Sequence, residues 1–321
     1  MARCRLCGAP AIARIEYARA WFCEKHFLEF IDRKVRRALE RYNMLGHGRR
    51  IVVAVSGGKD SAVLLYVLAK LGKELGIELH ALHIDLGIEG YSEKMVEAVR
   101  RLCNELGVPL TIYSLPRELG FSVVDLARKL RRNLCSVCGM VKRFVLNAAG
   151  VEMRAVIATG HNADDIASYA IKSLIVQDYA SLSKLVPVNE GIEGIAAPRI
   201  KPLYDVYEDE ARLYAELAKV IYDPSECPYV DREAIEFLAK EFLGKVERRS
   251  PGIKMSFLRK LAVEAPKLRT VVGGEEVGRC DACGLISMGS RCAFCRATEK
   301  AFGKALGREV RSFFATLAPT A

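Results

Sequence analysis

Hydrophobic and polar positions along most of this chain form two kinds of segment that alternate. Short runs rich in Val, Ile and Leu predict buried strands over residues 51–55, 78–84, 109–113 and 154–159. Longer segments with apolar residues at helical spacing predict helices over residues 61–75, 92–106, 137–149, 163–176 and 205–221. This alternation predicts an α/β fold, with a parallel sheet that carries helices on both faces and binds ligands at the carboxyl ends of its strands.

The segments on either side of this alternating region differ from it in composition. We predict an N-terminal zinc finger over residues 1–30, a basic linker helix over 31–50 and a catalytic α/β domain over 51–227. A basic helical region over 228–277, a C-terminal zinc ribbon over 278–298 and a tail over 299–321 follow.

Charge and composition add a partner class and a compartment. The 321 residues have a net charge of +10, which favours a polyanionic partner such as RNA, DNA or an acidic protein. No apolar run of about 18 residues is present, so we expect no membrane span, and the cysteine-bearing N-terminus favours a cytoplasmic location over a signal peptide. One Gln and six Asn are few thermolabile amides, and this favours a thermophilic source.

The clearest local motif is a glycine turn between the first predicted strand and the first predicted helix. It consists of Ser56, Gly57, Gly58, Lys59, Asp60 and Ser61. The two glycines let backbone amides approach an anion, and the helix dipole, the lysine and the serine hydroxyls favour negative charge there. We expect this turn to bind phosphate, most simply the pyrophosphate end of a nucleotide.

Two sets of cysteines have the spacing of structural zinc sites. The first is Cys4-x-x-Cys7 followed by Cys23-x-x-His26, and the second is Cys280-x-x-Cys283 followed by Cys292-x-x-Cys295. Paired knuckles of this kind place four ligands tetrahedrally, and we predict one Zn²⁺ in each set, in preference to disulfides or an iron site.

A third set, Cys135, Cys138 and Cys227, lacks a fourth ligand at close spacing. Three thiolates favour an open iron–sulfur cluster, and a persulfide on one cysteine resolved by another is the alternative chemistry. A redox-inert pair with an unrelated buried cysteine is the structural alternative. Cys103 has no partner in the sequence and is most simply a small core residue.

Together these motifs resemble the PP-loop tRNA 2-thiouridine synthetases of the TtuA type and their relatives that modify the wobble uridine. The resemblance rests on the joint occurrence of Ser56 to Ser61, the segment 159–165, the three cysteines and the two zinc-type sets. It implies an adenine-nucleotide α-hydrolase-like fold and an enzyme that adenylates the C2 oxygen of a tRNA uridine with ATP and Mg²⁺, releases AMP and pyrophosphate, and replaces that oxygen with sulfur. It also implies a [4Fe-4S] cluster on Cys135, Cys138 and Cys227 whose free iron holds the incoming sulfide, and a ubiquitin-like thiocarboxylate protein that supplies the sulfur.

Several residues near the strand ends are candidates for binding ATP or for catalysis. Asp164 and Asp165 follow the strand that ends near Thr159 and offer oxygen ligands to Mg²⁺, although an N-cap role is the alternative for one of them. We expect four residues to border the ATP: His83, Asp85, Gly160 and His161. An ordinary strand-end histidine remains the alternative for His83.

Basic residues surround the predicted sulfur site. Lys142 lies four residues after Cys138 and shares its face if the segment is helical, so we expect Lys142 to act beside the cluster or the activated uridine. A solvated surface lysine is the alternative. Arg131, Arg132 and Arg143 are candidates for contacts with tRNA phosphates.

Two features favour the branch that acts on the T-loop uridine: the segment from His83 to Ile88, and the low amide content. Ile166 departs from relatives that often carry Glu there, which weakens a role for a third carboxylate. Wobble-uridine thiolation and a non-enzymatic zinc-ribbon RNA-binding scaffold are the rival functions, and the oligomeric state, monomer or homodimer, stays open.

Overall fold

The structure is a computed structural model that describes residues 2–268 and 277–319. Residues 269–276, which end the predicted basic helical region, and the last two residues of the tail lie outside the described residues. In the described part, strands β1 to β10 span Ala13–Ile15, Ala20–Phe22, Arg50–Ala54, Glu78–Asp85, Leu110–Ser114, Val156–Thr159, Val188–Asn189, Arg199–Ile200, Gly278–Arg279 and Ile286–Ser287. The α-helices of the same part, α1 to α13, span Glu24–Arg41, Lys59–Leu75, Ser92–Leu106, Leu115–Leu119, Val123–Leu130, Leu134–Glu152, Ala163–Ile175, Tyr179–Leu182, Glu208–Leu217, Ile235–Arg249, Ile253–Glu264, Ala293–Phe302 and Gly307–Ala315.

A six-stranded sheet with the order β5-β4-β3-β6-β8-β7 forms the centre of the molecule. Strands β5, β4, β3, β6 and β8 run parallel, and β7 pairs antiparallel with β8 at the edge. The predicted α/β fold is therefore confirmed, with a mixed rather than a wholly parallel sheet. Strands β7 and β8 were not predicted, because two residues each are too few to produce an apolar run.

The order of the strands reverses next to β3. The chain passes from β3 to β4 and β5 on one side and then returns to place β6 on the other side, where Ala54 lies opposite Thr159. Connections that leave in opposite directions open a crevice at the carboxyl ends of the two strands, and open α/β sheets bind ligands there. The fold thus places the glycine turn after β3 beside the segment after β6.

Two cores cover the two faces of the sheet, because successive strand side chains point to opposite sides. Ile51 and Val53 join a core that includes α1, α2, α3 and α9, and Cys103 is buried there as the sequence suggests. Val52 faces the other core, which α5, α6 and the C-terminal cysteine module complete.

Helix α6 is the one helix of the described residues that is long and apolar enough to cross a membrane. Half of its apolar window is buried in this fold. The ring of Phe144 in α6 stacks on Phe294 of the C-terminal module with centroids 4.1 Å apart. Its apolar composition is therefore accounted for by packing in the core.

Several helix boundaries differ from the predicted ones. The basic linker helix, predicted over 31–50, is α1 and begins at Glu24, directly after Cys23, so that its first turn carries His26. Helix α5 was not predicted, although Ser122 and Asp125 form a capping box that marks its start. Helix α9 is shorter than predicted and ends near Lys219, whose φ of 53° is left-handed.

Candidate active site

The glycine turn forms an open anion site at the start of α2. Gly57 adopts a φ of +94°, and a Cβ there would lie 2.9 Å from the Cα of Met95. Gly58 is the N-cap, and no side chain caps the helix, so its first N–H groups remain available to a ligand. The combination of free amides and the positive end of the helix dipole is a phosphate site.

Two serines hold the shape of this turn. The Ser61 hydroxyl donates to the carbonyl of Gly58 at 3.0 Å and accepts from the backbone N–H of Ser56 at 3.0 Å. The two serine hydroxyls lie 2.9 Å apart. Gly160, after β6, is pressed against this start of α2, because a Cβ at Gly160 would lie 2.9 Å from the backbone nitrogen of Ser61.

Acidic groups gather next to the phosphate site. Asp60 accepts from the side-chain amide of Asn162 at 3.2 Å and lies 3.4 Å from the ammonium of Lys59. Burial raises the pKa of Asp60, and the nearby carboxylates of Asp165 and Glu208 raise it further against the opposing effect of Lys59. Asp60, Asp165 and Glu208 therefore form a partly buried acidic cluster, which suits a cation.

The predicted aspartate pair occupies two different environments. Asp165 completes a capping box with Asn162 at the start of α7 and lies 2.6 Å from the ammonium of Lys240. Asp164 is buried, lies 2.5 Å from the ammonium of Lys254 and accepts from the N–H of Glu208 at 2.8 Å. Asn162 is thus the N-cap, and Asp165 is its capping-box partner near Asp60, whereas Asp164 pairs with Lys254 of α11.

Sequence reasoning missed the partners of these aspartates. Lys240 and Lys254 come from α10 and α11, and Glu208 begins α9. No local spacing signals such contacts, because the three side chains reach the site only through the packing of distant helices.

A cleft of about 100 Å³ lies beside the glycine turn. Its lining includes Ser56 of the turn, His83 of β4, Tyr91 before α3 and Lys142 of α6. It therefore brings together the phosphate site and the helix that carries two of the three unassigned cysteines.

His83 is buried in this lining and hydrogen-bonds the carbonyl of Val55 through Nδ1 at 2.8 Å. Because a carbonyl only accepts, Nδ1 carries the proton and Nε2 is left as an acceptor. Burial lowers the pKa of His83, so the ring is neutral near pH 7.

Asp85 accepts from Ser114 and from the N–H of Gly87, and these bonds lower its pKa although burial opposes ionisation. Asp85 thus stabilises the turn after β4 through these hydrogen bonds. His161 bonds Thr159 through Nδ1 at 2.8 Å.

The three remaining cysteines come from two segments. Cys135 and Cys138 lie in the first two turns of α6, and the exposed Cys135 thiol donates to the carbonyl of Tyr229 at 3.7 Å, just beyond Cys227. Partial burial raises the pKa of Cys135, and the neighbouring Cys138 and Cys227 raise it further. Thiolates that repel one another in this way favour a shared metal, which removes the repulsion.

The two zinc-type sets are more compact, with all four ligand atoms of each set within 4.8 Å of one another. The sulfur atoms of Cys7 and Cys23 lie 3.8 Å apart, and those of Cys283 and Cys292 lie 3.9 Å apart. Tetrahedral zinc with bonds of about 2.3 Å separates two sulfur ligands by about 3.8 Å. Both sets therefore fit a structural zinc ion.

Comparison with known proteins agrees with this arrangement. The PP-loop domain family matches residues 29–227, and the N-terminal LIM domain of the 2-thiouridine synthetase TtuA matches residues 3–28. The tRNA-5-methyluridine(54) 2-sulfurtransferase of Pyrococcus horikoshii is 38% identical over 92% of this chain and 93% of its own length. The chain belongs to the PP-loop family of tRNA 2-thiolation proteins. The Thermus thermophilus protein of the same name is 38% identical over 96% of this chain and 94% of its own length.

A solved structure of this family has the same fold. The U34-tRNA thiolase NcsA from Methanococcus maripaludis, determined with its [4Fe-4S] cluster, superposes with a TM-score of 0.76 at 30% identity. The match covers 94% of this chain and 95% of NcsA.

Unneutralised basic side chains lie near the crevice. Among the described residues, Lys142, Arg143 and Arg199 form no ion pair with a carboxylate. Arg199 donates to the backbone carbonyl of Arg143 at 2.8 Å, and burial together with the charge of Arg143 lowers the pKa of Arg199 to about 10. Two crowded guanidinium groups without a carboxylate favour an anionic ligand. Arg131 and Arg132 are exposed at the end of α5.

Proposed function

We propose that this chain is an ATP-dependent tRNA 2-thiolation enzyme that replaces the C2 oxygen of a uridine with sulfur and releases AMP and pyrophosphate. The observation that carries the proposal is the cleft that joins Ser56 of the PP-loop to Lys142 of α6. Lys142 lies one helical turn beyond Cys138, so one ligand that fills this crevice meets both the phosphate site and the cysteine helix.

The chemistry needs both parts. A uridine C2 oxygen is a poor leaving group, and its attack on the α-phosphate of ATP forms a C2–O–P bond and breaks the bond to pyrophosphate. A sulfur nucleophile then forms the C2–S bond, and the C2–O bond breaks with departure of AMP. The amides of Gly57 and Gly58 and the ammonium of Lys59 stabilise the charge on the departing pyrophosphate.

Mg²⁺ fits the acidic side of this site. Burial and the charges of Asp165 and Glu208 raise the pKa of Asp60 although the Lys59 ammonium lies 3.4 Å away, and a divalent cation would stabilise this acidic cluster. We assign Asp60 and Asp165 as the oxygen ligands of Mg²⁺ that comes with ATP. Asp164, whose carboxylate pairs with Lys254 of α11, would stabilise the start of α7 that carries Asp165.

A [4Fe-4S] cluster fits the three cysteines. The donor set is three thiols, of which Cys135 is exposed, and Cys135 and Cys138 start a helix whose first-turn dipole favours negative charge. Such a cluster, with three protein ligands, supplies an open iron for sulfur. Lys142, one turn beyond Cys138, would place positive charge beside such a cluster, and His83 offers an acceptor nitrogen in the same cleft. Persulfide transfer between the cysteines is the competing mechanism.

We assign the substrate as the T-loop uridine. Three relatives named tRNA-5-methyluridine(54) 2-sulfurtransferase are 31% to 38% identical to this chain. The similarity to NcsA, named a U34-tRNA thiolase, favours the wobble uridine as the second candidate. We further expect a ubiquitin-like thiocarboxylate protein to supply the sulfur and the enzyme to act in the cytoplasm, where relatives named cytoplasmic tRNA 2-thiolation proteins are placed by their names.

The test is anaerobic purification followed by assay of iron, acid-labile sulfide and thiolated nucleosides. We expect four iron atoms per chain in addition to the zinc. We also expect 2-thiouridine to form only with ATP, and one pyrophosphate to be released per sulfur incorporated. Mapping the product by mass spectrometry separates the T-loop position from the wobble position. An active enzyme free of iron would support the persulfide mechanism. Unchanged function in Lys59→Ala would support the rival role as a non-enzymatic RNA-binding scaffold.

A further inference from the structure

We propose that Lys240, on helix α10 outside the PP-loop domain, is a positioning residue that keeps the PP-loop lysine available for ATP. The inference rests on the proposed function. The ammonium of Lys240 lies 2.6 Å from Oδ1 of Asp165 and 3.0 Å from Oε2 of Glu208. It thus bridges the start of α7 and the start of α9.

Glu208 is shared between two lysines. Its Oε1 lies 3.7 Å from the ammonium of Lys59, a loose contact, whereas its Oε2 lies 3.0 Å from Lys240. Lys59 also donates to the backbone carbonyl of Glu208 at 3.3 Å. Without Lys240, the carboxylate of Glu208 would be free to pair closely with the ammonium of Lys59. It would then compete with the phosphates of ATP for that ammonium.

The charges of the site lead to the same conclusion. Lys59 and Lys240 face Asp60, Asp165 and Glu208, so these five side chains carry a net charge of −1. Removal of the Lys240 charge makes this −2 and leaves Asp165 without its close cation. An anionic nucleotide would then meet a more negative site, whereas Mg²⁺ would be attracted to it more strongly.

The geometry is maintained by the packing of α10 on α7, and Lys240 itself is half-buried. Both acidic partners raise the pKa of Lys240 although burial opposes this, so the side chain stays charged. The same helix supplies a matched control, Lys245, whose ammonium lies 2.6 Å from Glu241 on the exposed surface.

The test compares the cluster-loaded holoenzyme with three variants: Lys240→Gln, Lys240→Arg and Lys245→Gln. We expect Lys240→Gln to raise the KM for ATP about tenfold in a pyrophosphate-release assay with tRNA, because it removes two charge-assisted contacts. The Mg²⁺ concentration for half-maximal rate should fall, because the more negative site attracts the cation more strongly, while tRNA affinity stays unchanged. Lys245→Gln should match wild type, and Lys240→Arg should recover most of the ATP affinity because it retains the charge.

A double variant separates positioning from folding. Lys240→Gln with Glu208→Gln restores the net charge and removes the competitor for Lys59, so its KM for ATP should return to within about threefold of wild type. Should Lys240→Gln be unfolded at the assay temperature, Lys240→Arg and the double variant carry the test. An equal KM for ATP in Lys240→Gln and Lys245→Gln would overturn the proposal, as would a double variant that is no better than Lys240→Gln. A wild-type enzyme that releases no pyrophosphate with tRNA and ATP would instead refute the proposed function.

Discussion

The ammonium of Lys254 lies 2.5 Å from the carboxylate of Asp164, although 90 positions separate the two in the chain. Both residues are buried, with 6% and 9% of their surface exposed, and the ammonium also lies 4.3 Å from the centre of the Tyr207 ring. This pair joins α11 to the helix that follows β6. It therefore ties the basic helical region to the nucleotide site.

We expect Lys254→Met to lower the free energy of unfolding by about 3–5 kcal/mol, because it leaves the carboxylate of Asp164 buried and unpaired. Adding Asp164→Asn should recover part of this loss, since asparagine is neutral and still accepts from the N–H of Glu208. Urea unfolding of the two single variants and the double variant measures the coupling. Additive losses would show that the pair has no energetic connection.

Gly57 should tolerate no side chain. With a φ of +94° and the Cα of Met95 only 2.9 Å from the position of a Cβ, Gly57→Ala must displace the turn. We expect pyrophosphate release to fall by at least about a hundredfold. Gly76→Ala is the matched control, because Gly76 ends the same helix with a φ of +61° and has no atom within 4 Å of the added Cβ. That change should cost about 1 kcal/mol of stability and leave activity intact. Equal activity in the two variants would contradict the role of the turn.

If each of the two zinc-type sets binds one zinc ion, a chelator should remove the two ions at different rates. All four cysteines of the C-terminal set are buried, whereas Cys7 of the N-terminal set is exposed. We expect one equivalent of zinc to appear quickly and the other slowly when release is followed with a coloured chelator. Cys7→Ser should abolish the fast phase, and Cys283→Ser should abolish the slow one.

The same two variants, compared by urea unfolding, report on stability. The C-terminal module packs into one of the two sheet cores through the stacked rings of Phe144 and Phe294. Cys283→Ser should therefore lower the midpoint of global unfolding by more than Cys7→Ser, since loss of that zinc exposes core surface. Equal midpoints would show that the module contributes little to the core.

His83 should make the protein less stable in acid. Burial lowers the pKa of His83 below its ordinary value of 6.5, although the carbonyl of Val55 and the charge of Asp85 oppose this and Lys142 adds to it. The unfolded chain therefore binds a proton on this ring more readily than the folded one. The contribution of His83 is complete above about pH 6.5 and is lost as the pH falls toward the lower folded pKa.

We expect His83→Gln to flatten the dependence of the urea midpoint on pH between about pH 7.5 and 5.5. Glutamine can donate to the carbonyl of Val55 but takes up no proton in this range. His80, whose pKa burial also lowers, remains in the variant and retains part of the slope. An unchanged slope would indicate that the ring of His83 is equally easy to protonate in both states.

The amino-acid sequence by itself determined the parts of this protein that depend on contiguous residues or on short spacings. The strand, glycine turn and helix around Ser56 to Ser61, and the two compact four-ligand sets, follow from local backbone geometry and from knuckles with two residues between their ligands. The family and the main parallel strands follow from the same local signals.

Only the tertiary structure decided which distant side chains complete the site. Lys240, Lys254 and Glu208 meet the aspartates of α7 because α9, α10 and α11 pack there, and Asp85 turns to Ser114 because β4 and β5 are neighbours. Ion pairs between helices that are far apart in the chain leave no periodicity or spacing in the sequence. Their partners are chosen by the packing of whole elements, and that packing is a property of the complete fold.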